Sequence, residues 1–280
     1  MTRSEPVGVL IRRWRERRGR SQLDVSMSAE LSARHLSFVE NGRANPSRGL
    51  IERLCDELDV PLRERNELYL AAGFAPMHAE SVFTDLGAAR AAVEAVLTGH
   101  EPNPALAVNV RWELLAANRA MAAFLHDVPA ELRTPPVNVL RVTMHPDGLA
   151  RRISNLAQWR AHLLRRVRRQ LARTAAEGLA DLLRELESYP VPGRNGPVAG
   201  RAPTEDLVVP MRLSTEYGEL ALLYTTTMFG SPRDVTLDEI SIETFFPADA
   251  ATADTLRAMS ATPAGVAEAS LAGAVESGVS

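Results

Sequence analysis

Two folds are expected in succession along this 280-residue chain: an all-α five-helix bundle at 1–76, then an α+β domain with an antiparallel sheet at 77–260. Three observations point there. Short helical periods separated by Gly, Ser, Asn and Pro fill the first 75 residues. The later chain has two extended segments, a helix-rich insertion and three more extended segments, an order that suits an antiparallel sheet and not an alternating doubly wound fold. Arginine gives way to alanine near residue 77, and the length accommodates two domains of roughly 100–150 residues.

The first helix is expected over Val7–Arg18, where Leu10, Ile11 and Trp14 share one face and arginines take the other; Gly19 ends it. Ser21 is a good N-cap for a second helix carrying Val25, because its hydroxyl satisfies an amide that the first turn leaves unpaired. A turn follows Ala29, and Ser32 caps a third helix with Leu36 and Val39 inward, which is helix-turn-helix spacing. Asn41 and Gly42 stop that helix. Asn45-Pro46-Ser47 caps a fourth with Leu50, Ile51, Leu54 and Leu58, and Pro61 opens a fifth that ends at Gly73.

Beyond the boundary, Leu86–Leu97 reads as a helix broken by the proline-containing stretch 99–104. Ala105–Val110 and Trp112–Ala116 read as paired strands and Asn118–Leu125 as a short helix. The helix-rich insertion runs from about Val137 to Ser188, and its long central helix sets Leu156, Trp159, Leu163, Val167 and Leu171 along one side. After a Pro/Gly loop at 190–203, Leu207–Leu213, Glu219–Phe229 and Ile240–Phe246 are strand candidates, the first two joined at Tyr217-Gly218. Pro210 has no amide to give a ladder, so its strand belongs at an edge or a bulge. From Ala261 the chain is rich in Ala, Gly and Ser, the composition of a mobile tail at 261–280.

Composition narrows the function classes. Hydrophobic residues at 45% and charged residues at 24% exclude wholesale disorder. No apolar run approaches the roughly 18–20 residues of a membrane span, so no membrane partner is expected and the cytoplasm is the expected compartment. The single cysteine, Cys55, permits neither an intrachain disulfide nor a thiolate zinc cluster and reads as a small buried hydrophobe. A net charge of −3 conceals a local balance of +5 over residues 1–20. All 32 basic side chains are arginine, which reads as coding bias and not as selection at each site.

The major groove of duplex DNA admits one α-helix between two phosphate rails, so a reader needs a short helix with a polar leading edge and positive anchors nearby. Residues 21–43 supply both. With Leu36 and Val39 buried, Ser32, Ala33, Arg34, His35, Ser37 and Phe38 lie on the outer face or leading edge of the third helix. Arg34 is the strongest base reader, since its planar fork can donate twice to guanine. His35 can reach a base or a phosphate, while Gln22 and Arg43 stand where backbone phosphates pass. The alternative is a protein-interaction bundle whose arginines are merely solvated.

This stretch resembles the XRE, or lambda-repressor-like, helix-turn-helix family through Ser21-Gln22, Ser26, Ala29, Leu31-Ser32, Val39-Glu40-Asn41-Gly42-Arg43 and Pro46-Ser47. The resemblance covers roughly 65 residues and implies DNA contacts at Gln22, the outward positions of the third helix, and Arg43. Glu30 departs from it, standing where the family usually has a turn glycine, at a cost of about 1 kcal/mol if φ is positive. One such module reads few base pairs, so a homodimer on a pseudo-palindromic double-stranded operator is expected, its recognition helices about 34 Å apart.

Residues 77–280 carry no catalytic grammar: no Gly-x-Gly-x-x-Gly, no Gly-x-Ser-x-Gly, no His-Glu-x-x-His. No enzyme, catalytic residue, metal or cofactor is therefore expected. His145, His162 and Asp147 are open to a metal or acid–base reading, though His145-Pro146-Asp147-Gly148 reads most simply as a turn with Asp147 capping the next helix. The eight arginines and no acid of 151–173 read as a solvated face, as partners for Glu177, Asp181, Glu185 and Glu187, or as an auxiliary phosphate or dimer surface.

This region resembles the ligand-binding domain of the MmyB-like transcription regulators. The matching segments are Pro104-Ala105-Leu106, Trp112 through Ala117-Asn118-Arg119-Ala120, Asn138-Val139-Leu140-Arg141, Met144-His145-Pro146-Asp147-Gly148, Phe229-Gly230, Asp234-Val235-Thr236-Leu237, Glu243 and Phe245-Phe246-Pro247-Ala248-Asp249. The resemblance implies a PAS-like domain, an antiparallel five-stranded sheet with helices over one face, and a pocket similar to a fatty-acid-binding cavity. Burying ten methylenes at roughly 0.8 kcal/mol each gives on the order of 8 kcal/mol, consistent with about micromolar binding of a small apolar ligand. Trp112, Leu114, Leu140, Met144, Leu156, Trp159, Leu163, Leu222, Tyr224 and Met228 have the size to line such a pocket or simply to fill a core. Asn118, Arg119, His145 and His162 are candidate partners for a polar head group, although Asn118 could cap its helix and Arg119 could face solvent. The expected function is a ligand-modulated, sequence-specific transcription regulator. Two alternatives stay open: a DNA-binding scaffold or antitoxin-like protein without a small-molecule ligand, and an enzyme with an autoregulatory helix-turn-helix head.

Overall fold

The computed structural model describes residues 5–190, 208–230 and 232–261. The expected loop at 190–203 falls almost wholly outside these residues, as does the expected tail beyond Ala261. The chain divides into two compact units.

The N-terminal unit is built on α1 (Val7–Arg17), α2 (Gln22–Ser28), α3 (Ala33–Glu40), α4 (Arg48–Glu57) and α5 (Leu62–Ala71). Its starts follow from side-chain caps. Ser21 and Asp24 form a reciprocal capping box at α2, Ser32 accepts from the amide of His35 at α3, and Ser47 accepts from Leu50 at α4. Ile11, Val25, Leu36, Val39, Ile51 and Leu54 are almost wholly buried and form the core. Cys55 is among them, and burial pushes its thiol up to about 12, so it stays protonated.

The second unit holds a five-stranded sheet in the order β2-β1-β5-β4-β3, antiparallel at every junction. Its chain runs through α6 (Ala88–Gly99), β1 (Ala105–Val108), β2 (Leu114–Ala117), α7 (Arg119–Leu125), α8 (Val139–Met144), α9 (Leu156–Thr174), α10 (Leu179–Ser188), β3 (Met211–Thr215), β4 (Gly218–Met228) and β5 (Ser241–Pro247). β3 is an edge strand with Pro210 just before it, where the missing amide costs no ladder bond. Gly218 opens β4 with φ of 118°, the backbone a tight turn requires. On α9, Leu156, Trp159, Leu163 and Val167 are buried in one cluster with the sheet, as their spacing predicts.

Two helices were not expected. α11 (Val235–Glu239) interrupts the connection from β4 to β5, and α12 (Ala250–Ala261) follows β5, its Thr252 hydroxyl accepting from the Ala221 amide at 3.0 Å. Residues 232–238 belong to the N-terminal unit. There the Val235 amide donates to the Ala79 carbonyl at 2.8 Å, Ser81 donates to Asp234 at 2.7 Å and Thr236 donates to the Ser81 carbonyl at 2.6 Å.

Candidate functional site

In the N-terminal unit, α1 and α3 approach so closely that a Cβ on Gly8 would lie 2.1 Å from the Val39 carbonyl oxygen. That contact fixes α3 against the core and turns its other face outward. Arg34 and His35 are exposed, Ala33, Ser37 and Phe38 are half-buried, and the Ser32 hydroxyl holds the first turn at 3.1 Å from the His35 amide. The Arg34 guanidinium lies 5.3 Å from the Phe38 ring centroid, so Phe38 acts as its support. Asn41 donates to the Ser37 carbonyl at 2.8 Å and closes the helix. Arg43 is exposed just past it, its amide held by the Phe38 carbonyl at 2.8 Å.

Gln22 is fixed by a network that sequence reasoning missed. Its Nε2 donates to Glu40 at 2.7 Å, and Glu40 also accepts from Arg15 through Nε at 2.7 Å and Nη2 at 2.9 Å. Glu40 is only 5% exposed, and this bidentate partner satisfies both of its carboxyl oxygens. The available signal was spacing: Leu36, Val39 and Glu40 share the inward face of α3. Much of the local positive excess is likewise paired within the unit. Arg12 pairs with Glu16, Arg13 with Glu5 and Arg20 with Glu57, while Arg18 donates to the Leu58 carbonyl at 2.7 Å.

The turn between α2 and α3 carries Glu30 at φ 54°, a left-handed position held by a residue with a Cβ.

In the second unit a cavity of about 70 Å³ lies between the sheet and the helices. Trp112, Leu140, Trp159, Leu163, Leu222 and Tyr224 of the expected set line it, and Phe124 and Phe245 are further apolar members. Trp112 adopts φ of 65°, and its indole N–H donates to Gln170 at 2.7 Å, which sets a large flat ring into the wall.

Six of the expected ligand residues serve other ends. Asn118 caps α7: its Oδ1 accepts from Ala105 and Met121 and its Nδ2 donates to Leu97 and Asn103, leaving nothing for a ligand. Arg119 is exposed beside Ser260. Met144 is buried core away from the cavity, and Met228 is 48% exposed. His145 packs its ring edge against Tyr189 and accepts from the Asp147 amide at 3.1 Å. Asp147 caps no helix; the following 3₁₀ turn, Leu149–Arg152, has Gly148 at its N-cap and no side-chain cap. His162 does not line the cavity but bonds the Tyr224 hydroxyl at 2.6 Å, and burial together with Arg165, Arg166 and Arg169 holds its pKa down. His145 and His162 therefore share no site, and among the described residues no cluster of His, Cys, Asp or Glu could hold a metal.

The polar end of the cavity is a pair absent from the expected set. Arg166 on α9 forks onto Glu243 on β5, Nη1 to Oε2 at 2.7 Å and Nη2 to Oε1 at 2.5 Å, and also donates to Thr226 at 2.8 Å. Its guanidinium lies 4.5 Å from the Trp112 ring centroid. Glu243 was quoted as a motif residue, but its partner was hidden among eight arginines. The others divide: Arg168 pairs with Glu187, Arg160 donates to the Leu186 and Glu187 carbonyls, and Glu185 pairs instead with Arg141.

Comparison with known proteins agrees with this division. Residues 6–68 match a helix-turn-helix domain, and residues 89–259 match the MmyB-like transcription regulator ligand binding domain. Transcriptional regulator ClgR of Mycobacterium tuberculosis, from strains CDC 1551 and H37Rv, is 41% identical over 58 residues, covering 21% of this chain and 52% of the relative. The chain thus spans about half the length of the curated relatives it matches. No described helix is long and apolar enough to cross a membrane. With the ligand-binding match covering well over half its length behind a helix-turn-helix domain, this chain belongs to the MmyB-like transcription regulators.

Proposed function

We propose that the chain is a sequence-specific DNA-binding transcription regulator, acting as a homodimer whose operator affinity is set by a small apolar, acyl-type ligand. The observation that carries this reading is the outward edge of α3, where Arg34 and His35 are exposed beside an exposed Arg43 while the opposite face is fixed by Gly8, Val39 and the Arg15–Glu40–Gln22 network. Arg34 reads a guanine edge, His35, Ser37 and Phe38 flank it, and Gln22, Ser32, Ala33 and Arg43 seat the helix against phosphates. Two copies place their recognition helices about 34 Å apart on successive major grooves of a pseudo-palindrome. The cavity, with its almost wholly apolar wall, supports the sensory half of the proposal. Ligand changes DNA affinity only by the difference in its own affinity for the two arrangements of the readers.

The test is selection of an operator from genomic fragments, followed by titration with two variants. Arg34→Ala relaxes base preference at one position by about 1–3 kcal/mol of discrimination. Arg43→Ala weakens binding to all sequences alike and lowers the salt slope by about 1. Absence of a shifted band on every fragment, or unchanged selectivity in the first variant, overturns the assignment of α3 as the reader.

A further inference from the structure

The chemistry of the cavity's polar end narrows the ligand beyond its apolar body, and this step rests on the sensor reading above. Among the described wall residues the charged groups are Arg166 and Glu243, and they are bonded to each other. Both atoms of the guanidinium edge that would grip a carboxylate already grip one, and the second donor also serves Thr226. Glu243 is only 3% exposed and is held in the central strand β5 between β1 and β4, opposite Leu106 and Thr226. It cannot withdraw into water. An arriving carboxylate would therefore meet a filled fork and a fixed negative charge in a low-dielectric space, where like charges at short range are costly and an unpaired one is costlier.

Among the described wall residues no other cation compensates. His162 bonds Tyr224 but is not itself on the wall, and burial, then Arg165, Arg166 and Arg169, hold its pKa below the ordinary value. A second observation concerns what the wall lacks. The indole N–H of Trp159 is a buried donor with no acceptor, and Trp159 is 2% exposed on that wall. An uncharged acceptor oxygen satisfies such a donor without challenging Glu243.

We propose that the cavity selects an apolar molecule with a neutral carbonyl head, an ester, amide, lactone or ketone, against the corresponding free carboxylate. The Arg166–Glu243 pair excludes the anion, and Trp159 donates to the carbonyl.

The experiment uses the full chain, stripped of bound lipid on a hydrophobic resin, and titrates octanamide, methyl octanoate and octanoate by tryptophan fluorescence and calorimetry at a pH where the acid is ionised. The amide and ester bind about tenfold or more tighter than octanoate. In Glu243→Gln the fork is released, and the ratio moves by about tenfold or more toward octanoate. In Trp159→Phe the advantage of the amide shrinks by several-fold while octane binding is retained. The wild-type ratio is decisive without any variant having to fold. Octanoate binding as tightly as its neutral partners overturns this proposal and leaves the sensor reading standing; binding of none of the three removes both. A folded Glu243→Gln protein with the wild-type ratio overturns the exclusion by the ion pair.

Discussion

Single atoms decide how α3 is held. Gly8 has the backbone of α1 almost touching that of α3, and the hydrogen it carries in place of a Cβ is what permits it. Gly8→Ala forces the helices apart and lowers stability by about 1–3 kcal/mol, measured by urea denaturation, with operator affinity falling in parallel. Glu30 acts in the opposite sense. Its φ of 54° is uncomfortable for any residue with a Cβ, and its side chain is exposed, so Glu30→Gly relieves strain without removing a packed group. A gain of about 1 kcal/mol is expected, with DNA specificity unchanged; no gain in the denaturation midpoint would show that the turn is not strained. Both effects differ in legibility. Glu30 could be read from its departure from a turn glycine, whereas Gly8 sits in the first turn of α1 and looks like an indifferent helix residue until α3 is placed beside it.

Helices and strands carry the next level of information, and most of them were legible because their caps and periods are local. Ser21, Ser32 and Ser47 announce α2, α3 and α4, and the apolar side of α9 is visible at helical spacing. What could not be read is which side chain meets which across long separations. Arg166 and Glu243 lie 77 residues apart, and Asn118 is drawn into capping by a strand and a loop on either side of it. The pairing of α9 with β4 also has a pH signature. The folded-state pKa of His162 lies below the ordinary value of 6.5, chiefly through burial and then through Arg165, Arg166 and Arg169. Above that value both folded and unfolded chains hold a neutral imidazole, so the contribution is fully present; as pH falls through it, the unfolded chain takes the proton first and stability is lost. Thermal midpoints recorded from about pH 7.5 down to about 5.5 therefore fall, and His162→Gln flattens that decline. His78, whose pKa is also lowered by burial, leaves a residual slope in the variant. An equal decline in both proteins would detach His162 from the acid sensitivity.

Connectivity ties the sensor sheet to the reader by more than the link near residue 82. β4 ends at Met228, β5 begins at Ser241, and residues 232–238 between them belong to the N-terminal unit. Asp234 is the staple: one carboxylate oxygen accepts from Ser81 at 2.7 Å and the other from the amides of Thr236 at 2.9 Å and Leu237 at 3.3 Å. The Leu62 amide at the start of α5 meets Asp238 at 3.4 Å. Sequence marks Asp234-Val235-Thr236-Leu237 as a motif, but its partner Ser81 lies 153 residues away, so its destination was not legible. β4 and β5 carry Tyr224 and Glu243 of the cavity wall, and the peptide joining them is fastened to the DNA-reading unit. In the proposed function, a ligand that favours one setting of these strands acts on that unit through the covalent chain, within the limit of its differential affinity. Asp234→Ala removes three hydrogen bonds and is expected to leave cavity binding, measured by tryptophan fluorescence, and operator affinity without ligand within about twofold of wild type. The shift in operator affinity on adding ligand should fall toward one. A gel-shift titration with and without ligand reads that ratio directly, and a variant with the full wild-type response would show that the signal travels by another route.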